Sequence, residues 1–131
     1  MTPFGQRVRE LREARGVSLR AMAGELGVTP AYLSALEHGH RSRPSWALVQ
    51  RIITYFNLIW DDADELQDLA RISHPRIVID TAGLSPEATR VANELALRIR
   101  TLEEAQLTEI AQSLGLEEGL DGGEAGEGGT E

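Results

Sequence analysis

Residues 18–39 read Ser18-Leu19-Arg20-Ala21-Met22-Ala23-Gly24-Glu25-Leu26-Gly27-Val28-Thr29-Pro30-Ala31-Tyr32-Leu33-Ser34-Ala35-Leu36-Glu37-His38-Gly39. Ser18 is a helix-capping type, and Met22, Ala23 and Leu26 recur at the spacing of one helix face. Gly27 can reach the positive φ that ends a helix, and Val28 can plug the angle that follows. Thr29 caps again, and Pro30 takes the first helical position, where a missing N–H costs nothing. In the second helix Leu33 and Leu36 face inward, leaving Pro30, Ala31, Tyr32, Ser34 and Ala35 to look outward. Two short helices hinged at one glycine are the sequence pattern of a helix-turn-helix.

Working outward, Thr2 and Pro3 open an earlier helix with Phe4, Val8 and Leu11 as its apolar stripe, and Gly16 ends it. After the motif comes His38-Gly39-His40-Arg41-Ser42-Arg43-Pro44, a loop with two arginines and no acid. A fourth helix from about Ser45 is expected to bury Trp46, Val49, Ile53 and Phe56. Asp61 or Asp62 is placed to cap a fifth, with Leu66, Leu69 and Ile72 inward. Ser73-His74-Pro75 marks the domain edge, giving a helical domain over 1–73.

Residues 74–116 form a second segment. Arg76-Ile77-Val78-Ile79-Asp80 is a β-branched run and a candidate short strand over 76–80. Ser85 and Pro86 then start a helix whose apolar positions Val91, Leu95, Ile99 and Leu102 recur at steps of four, four and three. Thr101 and Glu104 have capping-box spacing, so either one bent helix or two carry the stripe on to Leu107, Ile110, Ala111 and Leu114. From Gly115 to Glu131 there are seven Gly and six acids. With so little apolar surface, residues 117–131 are expected to be a disordered acidic tail.

The formal net charge of the 131 residues is −8, but it is divided. Through residue 60, eight Arg stand against four Glu, a net of +4; from 61 onward, five Arg stand against seventeen acids, a net of −12. The positive share coincides with the helix-turn-helix, where a polyanionic duplex would be met.

In these residues the chain resembles the Cro/CI-type (XRE-like) helix-turn-helix regulators of bacteria and phages. The resemblance covers residues 4–58, through Arg9-Glu10-Leu11-Arg12, Gly16-Val17-Ser18, Met22-Ala23, Leu26-Gly27-Val28, Tyr32-Leu33-Ser34, Leu36-Glu37, Gly39 and Pro44-Ser45. It implies an all-α, five-helix lambda-repressor-like domain, usually dimeric, that binds operator DNA and most often represses. The chain departs from the family at Leu19, where a Gln commonly reaches a phosphate. It departs again where base-reading positions correspond to Pro30, Ala31 and Ala35, which offer no side-chain hydrogen bond to a base.

The expected DNA contacts are therefore Thr29, Pro30, Ala31, Tyr32, Ser34 and Ala35 in the major groove. Ser18, Arg20, His38, His40, Arg41, Arg43 and Ser45 are expected on the backbone. For Tyr32 the competing reading is packing against Leu36; Arg41 and Arg43 read as phosphate clamps or an arm into a narrow minor groove, against a solvated loop. Arg7, Arg12 and Arg15 are weaker candidates, since neighbours such as Glu10 and Glu13 can pair with them. His38 and His40 lack a third ligand, so no metal is expected, and no cofactor motif is present. The acids of Asp61, Asp62, Asp64, Glu65 and Asp68 read as a cap and a solvated face rather than a calcium loop. No nucleophile elbow, phosphate-cradling glycine loop or carboxylate pair argues for an enzyme.

Val91, Leu95, Ile99 and Leu102 read as core residues that either fold back on their own domain or pair with a second subunit; a homodimer seam is expected, since a two-fold pair sets two reading helices one DNA turn apart on a palindromic operator. The function implied is a homodimeric transcriptional repressor. Two alternatives are an antitoxin-type autoregulator gripping a toxin through 75–114 and a protein-interaction module docking a partner through 75–114 or through the helix-turn-helix itself. With no cysteine, no signal-peptide core and no membrane-length apolar run, the expected location is the cytoplasm of a bacterium or phage-infected cell, at the nucleoid.

Overall fold

A computed structural model describes residues 1–40 and 43–116. Its α-helices are α1 (Pro3–Ala14), α2 (Leu19–Leu26), α3 (Pro30–Glu37), α4 (Trp46–Tyr55), α5 (Trp60–Arg71), α6 (Pro86–Arg98) and α7 (Glu104–Ser113). A 3₁₀ turn, Ile99–Thr101, follows α6. No strand occurs among the described residues. The chain divides into two units, Met1–Ile77 and the residues from Val78 onward.

In the first unit the helix starts follow capping chemistry. Thr2, Ser18, Thr29 and Ser45 are N-caps in extended backbone, and each hydroxyl accepts from an N–H three residues on. Pro follows the cap at α1 and α3. Gly27 closes α2 at φ 74°, and the Val28 N–H returns to the Ala23 carbonyl at 3.0 Å, which satisfies an orphan acceptor of the helix end. The core then assembles from one face of every helix: Phe4 and Val8; Met22, Ala23 and Leu26; Leu33 and Leu36; Leu48, Val49, Ile52, Ile53 and Phe56; Leu66, Leu69 and Ala70.

Two inward assignments and one cap in this unit require correction. Trp46 is 66% exposed, because α4 turns Leu48, Val49, Ile52 and Ile53 inward and leaves its first residue beyond the stripe. Ile72 is exposed as the residue capping the end of α5; Ala70 and Ser73 complete that face instead. Buried Ser73 is satisfied on both sides, accepting from the Phe4 N–H at 2.8 Å and donating to the Leu69 carbonyl. Nor does Asp61 or Asp62 cap α5. The N-cap is Ile59, and Trp60 begins the helix at φ 51°, so both aspartates lie in the first turn, against the positive end of the helix dipole.

The second unit holds α6, the 3₁₀ turn and α7. The break after α6 resolves the one-or-two question as two helices, but the restart lies later than Thr101. Glu103 is the N-cap of α7, and its N–H donates to the Gln106 side chain at 2.8 Å. Thr101 instead turns its hydroxyl back to the Arg98 carbonyl at 2.9 Å. No described residue of this unit is buried: Val91 and Ile99 are exposed, and Leu95, Leu102, Leu107 and Ile110 only partly covered. Residues 76–80 form no strand within one chain, since the described residues supply no second strand to ladder with. The expected acidic tail, 117–131, lies outside the described residues.

Candidate nucleic-acid interface

The helix expected to read bases is fixed from behind before anything is presented in front. Glu37, in the last turn of α3, is 2% exposed, and its carboxylate accepts from Arg12 Nε at 3.1 Å and Nη2 at 3.2 Å. A two-pronged guanidinium–carboxylate bond sets orientation as well as distance. Directly beneath it, a Cβ added at Gly5 would overlap the backbone carbonyl of Glu37, so glycine is what lets α1 and α3 approach. On the other side, Arg51 of α4 donates to the Leu26 carbonyl at 2.7 Å and ties down the turn between α2 and α3.

Held this way, α3 buries Leu33 and Leu36 and exposes Pro30 and Ala31, with Tyr32, Ser34 and Ala35 partly covered. The Thr29 hydroxyl accepts from the Tyr32 N–H at 3.0 Å. Thr29 and Tyr32 share a groove of about 410 Å³ with Val28, Ser45, Leu48 and Arg51. The structure thus brings three expected contact residues together, Thr29, Tyr32 and Ser45, at the starts of α3 and α4. N–H groups at a helix start point outward and favour anions.

Ser45 also borders a second groove of about 650 Å³, lined by Arg43, Trp46, Asp68, Arg71 and His74 among others. Arg43 is exposed and forms no hydrogen bond or ion pair among the described residues. Ser18 caps α2, with exposed Arg20 two residues on. At the far end of α3, His38 and His40 are exposed, their rings 6.5 Å apart and nearly parallel, and His38 Nδ1 lies 2.8 Å from the Ser34 carbonyl. Arg41 lies outside the described residues. Leu19, where a phosphate-reaching Gln was the alternative, packs against the core.

Most of the other early arginines are structural, though not with the partners expected for all of them. Arg7 bridges Glu10 and Glu65, and Arg9 pairs with Glu13. Arg12 passes over its helix neighbours for Glu37, while Arg15 donates to the Phe56 carbonyl at 2.6 Å and lies over the Phe56 ring. The net positive charge of the first sixty residues is also drawn down within the folded unit. Across Met1–Ile77, ten Arg face nine acids, five of them on α5, a net of +1. The basic character is a matter of which guanidiniums remain free, and Arg20 and Arg43 are such groups among the described residues.

Sequence reasoning missed Glu37 as a buried anchor and Trp46, Arg71 and His74 as groove residues. Glu37 did carry a signal, for it lies four residues after Leu33 and so falls on the inner side of α3. Among the described residues no three His, Cys, Asp or Glu are placed to hold a metal ion. No helix among them is long and apolar enough to cross a membrane.

Comparison with known proteins places the sequence among relatives. Residues 3–69 match the helix-turn-helix domain family. Over 62 residues the chain is 32% identical to RghRB of Bacillus subtilis (strain 168), described as an uncharacterized HTH-type transcriptional regulator. That alignment takes in 47% of this chain and 45% of the relative, so the match spans less than half the length of that regulator. No solved structure matches.

Proposed function

The chain belongs to the XRE-like helix-turn-helix family, and from that membership we propose that it is a sequence-specific DNA-binding transcriptional regulator. In this reading it is a repressor that sits as a homodimer on a palindromic operator. The observation that carries the reading is α3 itself: locked from behind by Arg12 and Gly5, it offers a small, uncharged outer face at Pro30, Ala31, Ser34 and Ala35. Such a face admits close approach to the major-groove floor. Discrimination there comes from methyl contact with thymine, from Tyr32 and Ser34, and from the deformability of the duplex. Thr29, Ser45, Arg43, Ser18 and Arg20 hold the phosphates, with His38, His40 and Arg41 as further backbone contacts.

Two copies are needed because a single α3 spans too few base pairs, and the α6 stripe of Val91, Leu95, Ile99 and Leu102 is the seam proposed to join them. The alternative, a foreign protein gripped through 75–114 as in an antitoxin, draws on the same uncovered helices. Sedimentation separates the two, since a chain that waits for a foreign partner stays monomeric at micromolar concentration. The DNA reading is tested by electrophoretic shift on duplexes selected from a random pool. Affinity is expected to fall with salt at a log–log slope of about −0.9 per phosphate neutralised. Ala35→Phe is expected to hurt the selected site more than random duplex. Unchanged binding for this variant would remove α3 from the groove.

A further inference from the structure

The segment Arg76-Ile77-Val78-Ile79-Asp80 joins the two units and is left unexplained by everything above. All five residues are exposed, Val78 at 93%. Among the described residues no backbone N–H or carbonyl of 74–80 has a backbone partner. The segment has a definite end. Asp80 Oδ1 accepts from the Ala82 N–H at 2.9 Å, and the Leu84 N–H returns to the Thr81 carbonyl at 3.0 Å, a turn that leads to the Ser85 cap of α6. Three consecutive β-branched residues with unpaired backbone are the composition of a strand lacking its neighbour.

We propose that residues 76–80 pair with the same residues of a second copy, forming an antiparallel two-stranded ribbon centred on Val78. The proposal deepens the homodimer reading and rests on it. The occupant is identified by the sequence itself, which is complementary to its own reversal. With Val78 opposite Val78 of the second copy, Ile77 falls opposite Ile79, and Arg76 falls opposite Asp80, at both ends of the ribbon. Side chains alternate along a strand, so each Arg76–Asp80 pair flanks the valines on one face, while the four isoleucines cluster on the other. Parallel pairing would set Arg76 against Arg76. Arg76 has no ion pair among the described residues of its own chain, and the described residues hold no sheet edge that could take the segment instead.

A bare two-stranded ribbon is marginal in water and needs an apolar cover. Each chain leaves its ribbon six residues before α6, the helix whose Val91 and Ile99 are exposed. Ribbon and stripe thus follow one another along the chain, and the exposed apolar residues of α6 are the nearest in sequence that could supply such a cover.

The wild-type chain has no cysteine, so engineered thiols report cleanly. Full-length Val78→Cys and Ile77→Cys are oxidised in parallel at a concentration where sedimentation gives the dimer. A thiol on the two-fold axis meets its own copy within disulfide reach, whereas residue 77 faces 79 and not itself. Val78→Cys is therefore expected to become a covalent dimer, and Ile77→Cys alone to stay mostly reduced. In a second arm, Arg76→Asp sets like charges opposite each other twice and is expected to weaken self-association about tenfold. Adding Asp80→Arg to it recovers most of the loss, short of wild type by the Asp80–Ala82 turn bond that the swap removes. A dimer in which Val78→Cys does not cross-link, or in which the double swap gives no rescue, overturns the ribbon and leaves the homodimer standing. A chain that sediments as a monomer throughout overturns both.

Discussion

The two units of this chain are built from similar helices and differ in what those helices cover. Within Met1–Ile77 fifteen apolar residues are buried in one cluster, and even the ionic pair of Arg12 and Glu37 is largely out of solvent. From Val78 to Leu116 no residue is buried, although α6 has a proper Ser85 cap and an apolar stripe as regular as that of α4. A helix of about a dozen residues is marginal alone in water and draws its stability from packing. The first unit therefore supplies its own stability, and the second, in the homodimer proposed above, draws its own from a second copy. That division matches the proposed labour: a rigid reader of DNA, and a joint that brings two readers together.

The largest expected effect strikes the first unit alone. Gly5→Val drives a side chain into the Glu37 backbone, and a cost of about 3 kcal/mol or more should abolish the cooperative melt. Glu37→Ala comes next. It strands a guanidinium that is only 14% exposed and should lower stability by about 3 kcal/mol in chemical denaturation. A smaller loss would mean that Arg12 finds water. The third test crosses to the other unit. Leu95→Ala should leave the melt of the first unit within about 0.5 kcal/mol of wild type while weakening self-association about tenfold. Equal effects on both would erase the contrast between the units. The smallest effect is at the DNA backbone, where Arg43→Ala should weaken all duplexes alike and flatten the salt slope by about 0.9 for each phosphate it meets. Isothermal titration across a range of salt concentrations reads that change.

What the sequence revealed of the fold follows the places where one residue type has one local role. Thr2, Ser18, Thr29, Ser45 and Ser85 could be read as caps because a hydroxyl before a helix bonds three residues ahead whatever else surrounds it. Gly27 was legible for the same reason, being a residue that tolerates φ 74° without strain. Two of the misreadings are tertiary. Trp46 and Ile72 fall at helix ends, where periodicity no longer says which side the core is on. Ile59 outcompetes two aspartates as the start of α5 because the preceding backbone, with Asn57 at φ 55°, sets the register before capping chemistry can. Of the candidate site, Thr29, Tyr32 and Ser45 were legible through their caps and spacing. The Arg12–Glu37 anchor was not, since its partners lie 25 residues apart and i to i+4 neighbours offered a plausible local alternative.

Selection of bound duplexes from a random pool by the full-length protein tests the division between reader and joint most directly. The selected pool should be enriched in inverted repeats whose half-site centres lie about one helical turn, roughly 34 Å, apart. Recovery of no preferred sequence, or of single half-sites bound with an affinity independent of protein self-association, would contradict it.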